Sequence, residues 1–337
     1  MKKHTIALTI IILAVLAGSL AGALGLRQPT ANGDPCRLYL PNTTTRDALC
    51  DSLVADGVLH STTAFRLVAS LLRLDNVRPG SYVVEPHMRT LALVRKLRNG
   101  QQDPIRLTIG KFRLPQDLNQ YLDTKLMHND FNVTLDSFHL ILPDTYEFYW
   151  TVTPEQFMER MEKEYSSFWG IQGVQEVQGV QEVQDNSTIR GNVLNSLNYL
   201  NSLNYQQIII LASIVEEETN YGPEKPLIAS VYLNRLKRGM PLQADPTVKY
   251  AVGDFTLRRI LNKHLEVESP FNTYLHTGLP PAPICLPSKA TIDAVLKAPE
   301  TNYIYFCASE QLDGTHRFAA TLAEHNRNAA RYHAAIR

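Results

Sequence analysis

The chain has 337 residues, in which 33 Lys and Arg balance 33 Asp and Glu and 44% are hydrophobic. A formal net charge of zero removes the electrostatic argument for a nucleic-acid ligand or an acidic partner, and it suits an uncharged polymer such as a glycan at least as well. The apolar fraction is that of a globular protein, and the length allows two domains.

Lys2 and Lys3 precede a charge-free run over residues 5–26. At about 1.5 Å per residue such a run can cross about 30 Å of hydrocarbon as a helix. We expect a cytoplasmic tail over 1–4 and a retained anchor over 5–26, held in cytoplasmic-membrane lipid. The two lysines then place the bulk of the chain on the periplasmic or extracytoplasmic side. The small residues Ala21, Gly22 and Ala23 also fit a cleavage site, so a removable signal peptide is the alternative. An exported location permits disulfides among Cys36, Cys50, Cys285 and Cys307, which read equally well as buried thiols.

After a linker over 27–35, a first unit is expected over 36–103. A short strand at 37–40 leads to an amphipathic helix at 43–58, capped by a threonine, with Leu49, Leu53 and Val54 inward. A helix at 61–72, a strand at 79–84 and a helix at 90–98, stopped by Asn99 and Gly100, follow. Strand, helix, helix, strand is the order of a LysM-like module, and that resemblance implies a grip on peptidoglycan.

A second unit is expected over 104–337, opening with a strand at 104–109 and a helix at 114–126. Bulky apolar and aromatic residues flank a turn at Pro143 and Asp144; at that density most read as core, while Tyr146 is left open between core and a ring that stacks on a sugar face beside a cleft. Residues 173–178 are then repeated at 179–184, and residues 194–199 at 200–205. Two perfect tandem hexads are too short and too few for a repeat fold. We read 171–205 as a tolerated surface insertion, where extra length costs little.

From Ile208 to Val215 only Ser213 is polar, so this helix should run through the middle of a domain. It ends in Glu216, Glu217 and Glu218. Successive helical residues are about 100° apart, so the three carboxylates cannot share one environment. Glu218 continues the stripe of Leu211, Ile214 and Val215 and leaves it where a cleft could open. Burial penalises the charged form of a carboxyl group, which makes Glu218 the candidate catalytic acid. A generic run of three Glu is otherwise a solvated helix end.

Pro226 starts another helix over 227–238, stopped by Gly239, in which Asn234 is the polar residue able to turn toward the Glu helix. The 241–250 stretch is too rich in turn formers for the middle of an element, yet it carries Gln243, Asp245 and Thr247. Asp245 before Pro246 reads equally well as a turn former. Proline-locked loops at 269–274 and 278–284 contain Asn272 and Tyr274, and their stiffness suits a binding wall. His316 and His325 lie without a second ligand at metal spacing, so they read as satisfied structural histidines, and no metal or other cofactor is expected. A final helix over 319–336 shows Leu322 and Ala323 on one side.

The run Ala212 to Thr219, the segment 232–236, the segment 240–248, Asn272 to Tyr274 and Gly278 to Pro281 resemble the endolytic murein transglycosylase family known as MltG or YceG. Pro143 to Tyr146, Gly314 to Phe318 and Glu324 to Asn326 extend the likeness. The resemblance implies an α+β chain in which the anchor and LysM-like module precede a mainly helical, lysozyme-like catalytic domain with proline-rich loops and short strands. It implies a membrane-anchored lytic transglycosylase that cleaves the β-1,4 bond from N-acetylmuramic acid to N-acetylglucosamine, leaves 1,6-anhydro ends and terminates nascent glycan strands. Peptidoglycan strands and penicillin-binding protein synthases are the implied partners. Glu218 maps onto the family's catalytic acid, with Gln243, Asn272 and Tyr274 as substrate contacts and Asn234, Asp245 and Thr247 in support. A fainter likeness to goose-lysozyme-like transglycosylases rests on Glu218 with Thr219, Leu242 with Gln243, and Phe271 with Asn272. The alternatives are a hydrolytic muramidase, which needs a second carboxylate in Asp245 or Asp254, and a non-catalytic glycan-binding scaffold of the synthesis machinery. This chain departs from the family pattern at Gly110, Lys111 and Ala282.

Overall fold

A computed structural model describes residues 34–59, 62–171, 200–257 and 259–336. The expected anchor over 5–26 and the repeats within 172–199 lie outside the described residues. Among the described residues no helix is long and apolar enough to cross a membrane. The described residues divide into two compact units, one lying within 1–107, 125–129 and 146–153, the other within 108–124, 130–145 and 154–337.

The first unit opens with β1 (Cys36–Leu40) and the two-residue β2 (Thr44–Thr45), followed by α1 (Arg46–Ala55) and α2 (Thr62–Leu71). Then come β3 (Asn76–Val77), β4 (Gly80–Val84) and α3 (Thr90–Arg98). β1 pairs antiparallel with β4, Leu38 opposite Tyr82, and β2 pairs with β3. The Thr45 hydroxyl accepts from the Ala48 amide and so starts α1, as the threonine run suggests. Leu49, Cys50 and Leu53 face the core, whereas Val54, expected inward, is 38% exposed. Cys50, three and four residues from Leu53 and Val54, takes the inward place. The core closes over Phe65, Val68, Tyr82, Leu93 and Leu97.

Further on are β5 (Ile105–Ile109), α4 (Pro115–Lys125), β6 (Asp144–Phe148), which pairs with β5, and α5 (Pro154–Ile171). The second unit then builds on α6 (Tyr205–Glu218), α7 (Lys225–Lys237), α8 (Asp245–Val252), the one-turn α9 (Asn262–Leu265) and α10 (Lys289–Leu296). An antiparallel hairpin of β7 (Tyr305–Ala308) and β8 (His316–Ala319), with Phe306 opposite Phe318, precedes α11 (Leu322–Ala335). Mixed helices and short strands accord with the α+β class. Two elements differ from the sequence expectation. The 241–250 stretch does not stay a loop, because Asp245 and Pro246 open a helix whose first turn has no need of the proline N–H. Residues 316–319 form a strand, and the last helix begins at Leu322 rather than at residue 319.

The final six residues of the expected surface insertion are structural. Leu200 is buried in the core, and Tyr205 stacks on Trp169 with ring centroids 4.4 Å apart. Asn204 caps α6 in a reciprocal box, its side chain accepting from the Gln207 amide while the Gln207 side chain accepts from the Asn204 amide. One copy of the Leu-Asn-Ser-Leu-Asn-Tyr hexad therefore begins the central helix, and a surface excursion does not describe it.

Candidate active site

All eight residues of α6 from Ile208 to Val215 are buried. Each of its large aliphatic side chains contributes about 1.5–3 kcal/mol of transfer free energy, so the register of the helix is locked. The lone polar member, Ser213, donates to the Ile210 carbonyl and accepts from the Ile284 amide, which pins the proline-rich 278–286 loop to the helix. The three carboxylates that follow therefore emerge at fixed angles, against the negative end of the helix dipole, where each needs a partner.

They find three different ones. Glu216 accepts from Lys225 Nζ at 3.0 Å, from Ser288 Oγ at 3.1 Å and from Thr291 Oγ1. Burial pushes its pKa up, but the Thr291, Lys225 and Ser288 bonds outweigh it and hold the carboxyl below the usual range. Glu217 takes Arg113 on Oε2 at 2.9 Å, with Lys111 Nζ 3.0 Å from Oε1. Among the described residues Glu218 makes no ion pair, and Lys249 acts on it only as a charge at a distance. It receives one bond, from the Tyr232 hydroxyl at 3.0 Å, and burial raises its pKa to about 7. The Tyr232 bond opposes that rise, while the Asp245 charge adds to it.

Glu218 lies in a cleft of about 580 Å³ that is also lined by Tyr232, Arg235, Gln243, Asp245 and Tyr274. β7 and β8 supply Tyr305 and His316 to its lining. A second lobe, about 620 Å³, is lined by Tyr221, Leu312, Asp313 and Tyr332, and shares Glu218, Ala308 and His316 with the first. A half-buried carboxylic acid thus stands where two lobes of an open groove meet.

Of the residues singled out by sequence, Gln243, Asp245 and Tyr274 reach this cleft. Gln243 is held in left-handed backbone, φ 52°, with its amide bonded to the Thr273 carbonyl, a conformation costly for a residue with a Cβ. Tyr274 donates to Asp245 at 2.7 Å, and burial together with that carboxylate pushes its phenol pKa up.

Three others are not brought to the cleft. Asn234, expected to turn toward the Glu helix, donates instead to the Thr301 and Tyr303 carbonyls. Two residues at about 100° each separate it from Tyr232, so the two point to nearly opposite sides of α7, and the tyrosine is the one that meets Glu218. Asn272, expected as a substrate contact, is fully buried; its Nδ2 donates to the Leu265 and Val267 carbonyls and its Oδ1 accepts from the Tyr274 amide. With its amide so occupied it shapes the loop that carries Tyr274. Thr247 is fully buried too, bonded to the Ala244 carbonyl and to Thr273.

Arg235 and Tyr232 are the functional residues that sequence reasoning missed. Arg235 donates from Nε to the Ile304 carbonyl and from Nη1 to Leu242 and Gln243, and its guanidinium lies over the Tyr305 ring, 5.4 Å from the centroid. It ties α7, the Gln243 loop and the hairpin together from beneath. A guanidinium four residues after Val231 and seven after Ile228, on the apolar stripe of α7, was the available signal, since a buried Arg must find several acceptors. All four cysteines are free thiols. Among the described residues no group of three or more His, Cys, Asp and Glu gathers to hold a metal ion.

The chain matches the YceG-like family over residues 38–331. It is 44% identical over 126 residues to an endolytic murein transglycosylase of Bacillus subtilis, a match covering 37% of this chain and 34% of that protein. A protein of the same name from Streptococcus pneumoniae is 32% identical over 130 residues, covering 37% of this chain and 23% of the relative. The matched stretch thus spans about a third of the first relative and about a quarter of the second. A yceG-like protein from Listeria monocytogenes aligns at 24% identity with a TM-score of 0.47, covering 88% of this chain and 99% of that one. With the family match running from the first strand to the last helix, the chain belongs to the YceG-like family.

Proposed function

We propose that the chain is a peptidoglycan lytic transglycosylase that cuts the β-1,4 bond between N-acetylmuramic acid and N-acetylglucosamine and leaves 1,6-anhydro-muramic ends. The observation that carries this reading is one carboxyl group, Glu218, with a pKa of about 7 and no ion pair among the described residues, at the junction of a two-lobed groove. A glycosidic oxygen needs a proton donor as the bond breaks, and a carboxylic acid that stays protonated near neutral pH can supply it. The names of the B. subtilis and S. pneumoniae relatives support the same chemistry.

In the reaction, protonated Glu218 donates to the leaving O4 as the bond from the anomeric carbon breaks. The C6 hydroxyl of the muramic residue then attacks that carbon, the 1,6 ring closes, and the hydroxyl proton returns to the Glu218 carboxylate. A single carboxylate suffices because the nucleophile belongs to the substrate, whereas most hydrolases need two. Tyr232 steadies the ionised form between the steps. Gln243, Asp245 and Tyr274 contact the bound sugars along one lobe, while Asn234, Asn272 and Thr247 act in support, holding the elements that carry them.

We extend the proposal to the rest of the chain. The stretch 5–26 anchors it in the cytoplasmic membrane, the linker 27–35 follows, the 36–103 unit grips peptidoglycan as a LysM-like module, and the 104–337 unit trims nascent strands beside penicillin-binding protein synthases. Asp245, exposed in the same cleft, is the observation that favours a hydrolytic muramidase as the second reading. Digestion of purified peptidoglycan by the wild-type chain and by Glu218→Gln separates them. Anhydro ends that disappear in the variant support the transglycosylase; ends one water heavier identify the hydrolase; undiminished cutting by Glu218→Gln refutes both.

A further inference from the structure

Three residues, Glu218, Ala308 and His316, are common to both lobes of the groove. A strand lying through both lobes would place its broken bond beside these three, so His316 is the second ionisable side chain at the point of reaction. Its environment is built rather than incidental. His316 lies at the start of β8; its backbone amide donates to Glu224 Oε1 at 3.0 Å and its ring Nδ1 is 2.8 Å from Glu224 Oε2. An ionised carboxylate only accepts, so Nδ1 carries the hydrogen and the lone pair of the neutral ring is on Nε2. Phe306 packs edge-on against the imidazole at 90° and fixes its plane. Nε2 has no protein partner among the described residues, and the ring lines the groove. A carboxylate that orients a histidine by one nitrogen and leaves the other free is the arrangement that prepares a base.

We propose that His316, oriented by Glu224, accepts the proton of the attacking sugar hydroxyl, so that the two proton transfers assigned above to Glu218 alone are divided between two residues. This rests on the transglycosylase reading and deepens it. The C6 hydroxyl of the muramic residue donates its hydrogen to Nε2, which leaves an oxygen lone pair aimed at the anomeric carbon. The bond from that carbon to O4 breaks first, its electron pair staying on O4, which takes the Glu218 proton, and the bond from O6 to the carbon then forms. The O6 proton passes to Nε2, and Glu224 stabilises the imidazolium. Release of the product lets solvent return that proton from His316 to the Glu218 carboxylate.

The test uses the full chain on purified glycan strands and follows kcat, KM and the ratio of anhydro to reducing ends. His316→Ala is expected to lose about 100-fold or more in kcat, the scale of a general base, with KM within about threefold. The anhydro fraction should fall as unoriented hydroxyl gives way to water. Glu224→Gln, which keeps an acceptor for the His316 amide, is expected to show the same product change with a smaller loss. If His316→Ala does not fold, His316→Gln takes its place; it keeps a hydrogen-bond acceptor but no base, so a tenfold or greater loss of kcat supports the proposal and wild-type kcat overturns it. A folded His316→Ala protein with kcat within threefold of wild type and an unchanged end-group ratio overturns it as well. Wild-type protein that releases only reducing ends is a separate result and refutes the transglycosylase reading itself.

Discussion

Glu218→Gln should make the protein more stable, and only at neutral to alkaline pH. The folded chain holds the Glu218 proton to about pH 7, against an ordinary value of 4.5. Between those two values the folded state binds more protons than the unfolded one, so stability falls as pH rises. The contribution is complete below about 4.5 and lost once pH has passed about 7. At 1.36 kcal/mol per pKa unit the loss is about 3 kcal/mol, an upper figure because the cleft admits water. Glutamine has nearly the same shape, can accept the Tyr232 bond and never ionises. Denaturant unfolding of both proteins at pH 5 and pH 8 checks this. The variant should be more stable than wild type by about 1 kcal/mol or less at pH 5 and by up to about 3 kcal/mol at pH 8. Taking the difference between the two pH values cancels every contribution that does not titrate at position 218. Equal differences at both pH values, or a variant less stable at pH 8, would refute the claim that burial holds this carboxyl protonated.

Tyr232→Phe removes the bond that favours the Glu218 carboxylate; with about 1.5–3 kcal/mol for a hydrogen bond to a charged group, the alkaline limb of the pH–rate profile should rise by about one unit or more, and an unmoved limb would mean that another group limits the rate. Glu216→Ala leaves Lys225, 12% exposed at its side chain, without its carboxylate, and should cost about 3 kcal/mol in chemical denaturation; because the Glu216 pKa is lowered, its contribution is present above about pH 4.5 and fades as pH falls through the lowered value, so the cost should shrink in acid. Removing one copy of each hexad from 173–184 and 194–205 should leave the unfolding midpoint and the rate within error of wild type, since one copy still supplies the Leu200, Asn204 and Tyr205 contacts to the start of α6; loss of folding would show that the extra length is structural.

How far the sequence can be read depends on whether a residue's partner lies on its own element. Glu218 was legible because its direction follows from helical spacing against an apolar stripe, and α6 keeps that spacing to its last residue. The Thr45 cap was legible for the same reason: donor and acceptor are three residues apart. Asn234 and Asn272 were misjudged because polarity was taken as a sign of a cleft, whereas both spend their amides on carbonyls of other segments. The β7 and β8 hairpin escaped notice because its residues are neither clearly in nor clearly out; seven of the eight are half-buried, and no alternation betrays a strand. Its contribution to the groove, His316 above all, could only emerge from the pairing.

Three adjacent glutamates at a helix end would ordinarily repel one another and the helix dipole, and this fold uses the 100° step to turn that liability into a division of labour. Glu216 faces a lysine and two hydroxyls that join α6 to α7 and α10, and Glu217 faces Arg113 and Lys111. Both are thereby tied to fixed segments. Those two clamps hold the last turn of α6 from either side, which leaves Glu218 no freedom to swing toward a cation of its own. Burial then acts on Glu218 without an ion pair among the described residues to offset it, and its pKa rises. Swapping the order of partners tests that: a lysine placed at position 232 would give Glu218 the cation it lacks, return its pKa toward the ordinary carboxylate range and, under the proposed mechanism, remove the acid at neutral pH while leaving both clamps intact. Full activity in a folded Tyr232→Lys protein would show that an unpaired Glu218 is not what the rest of the helix is arranged to protect.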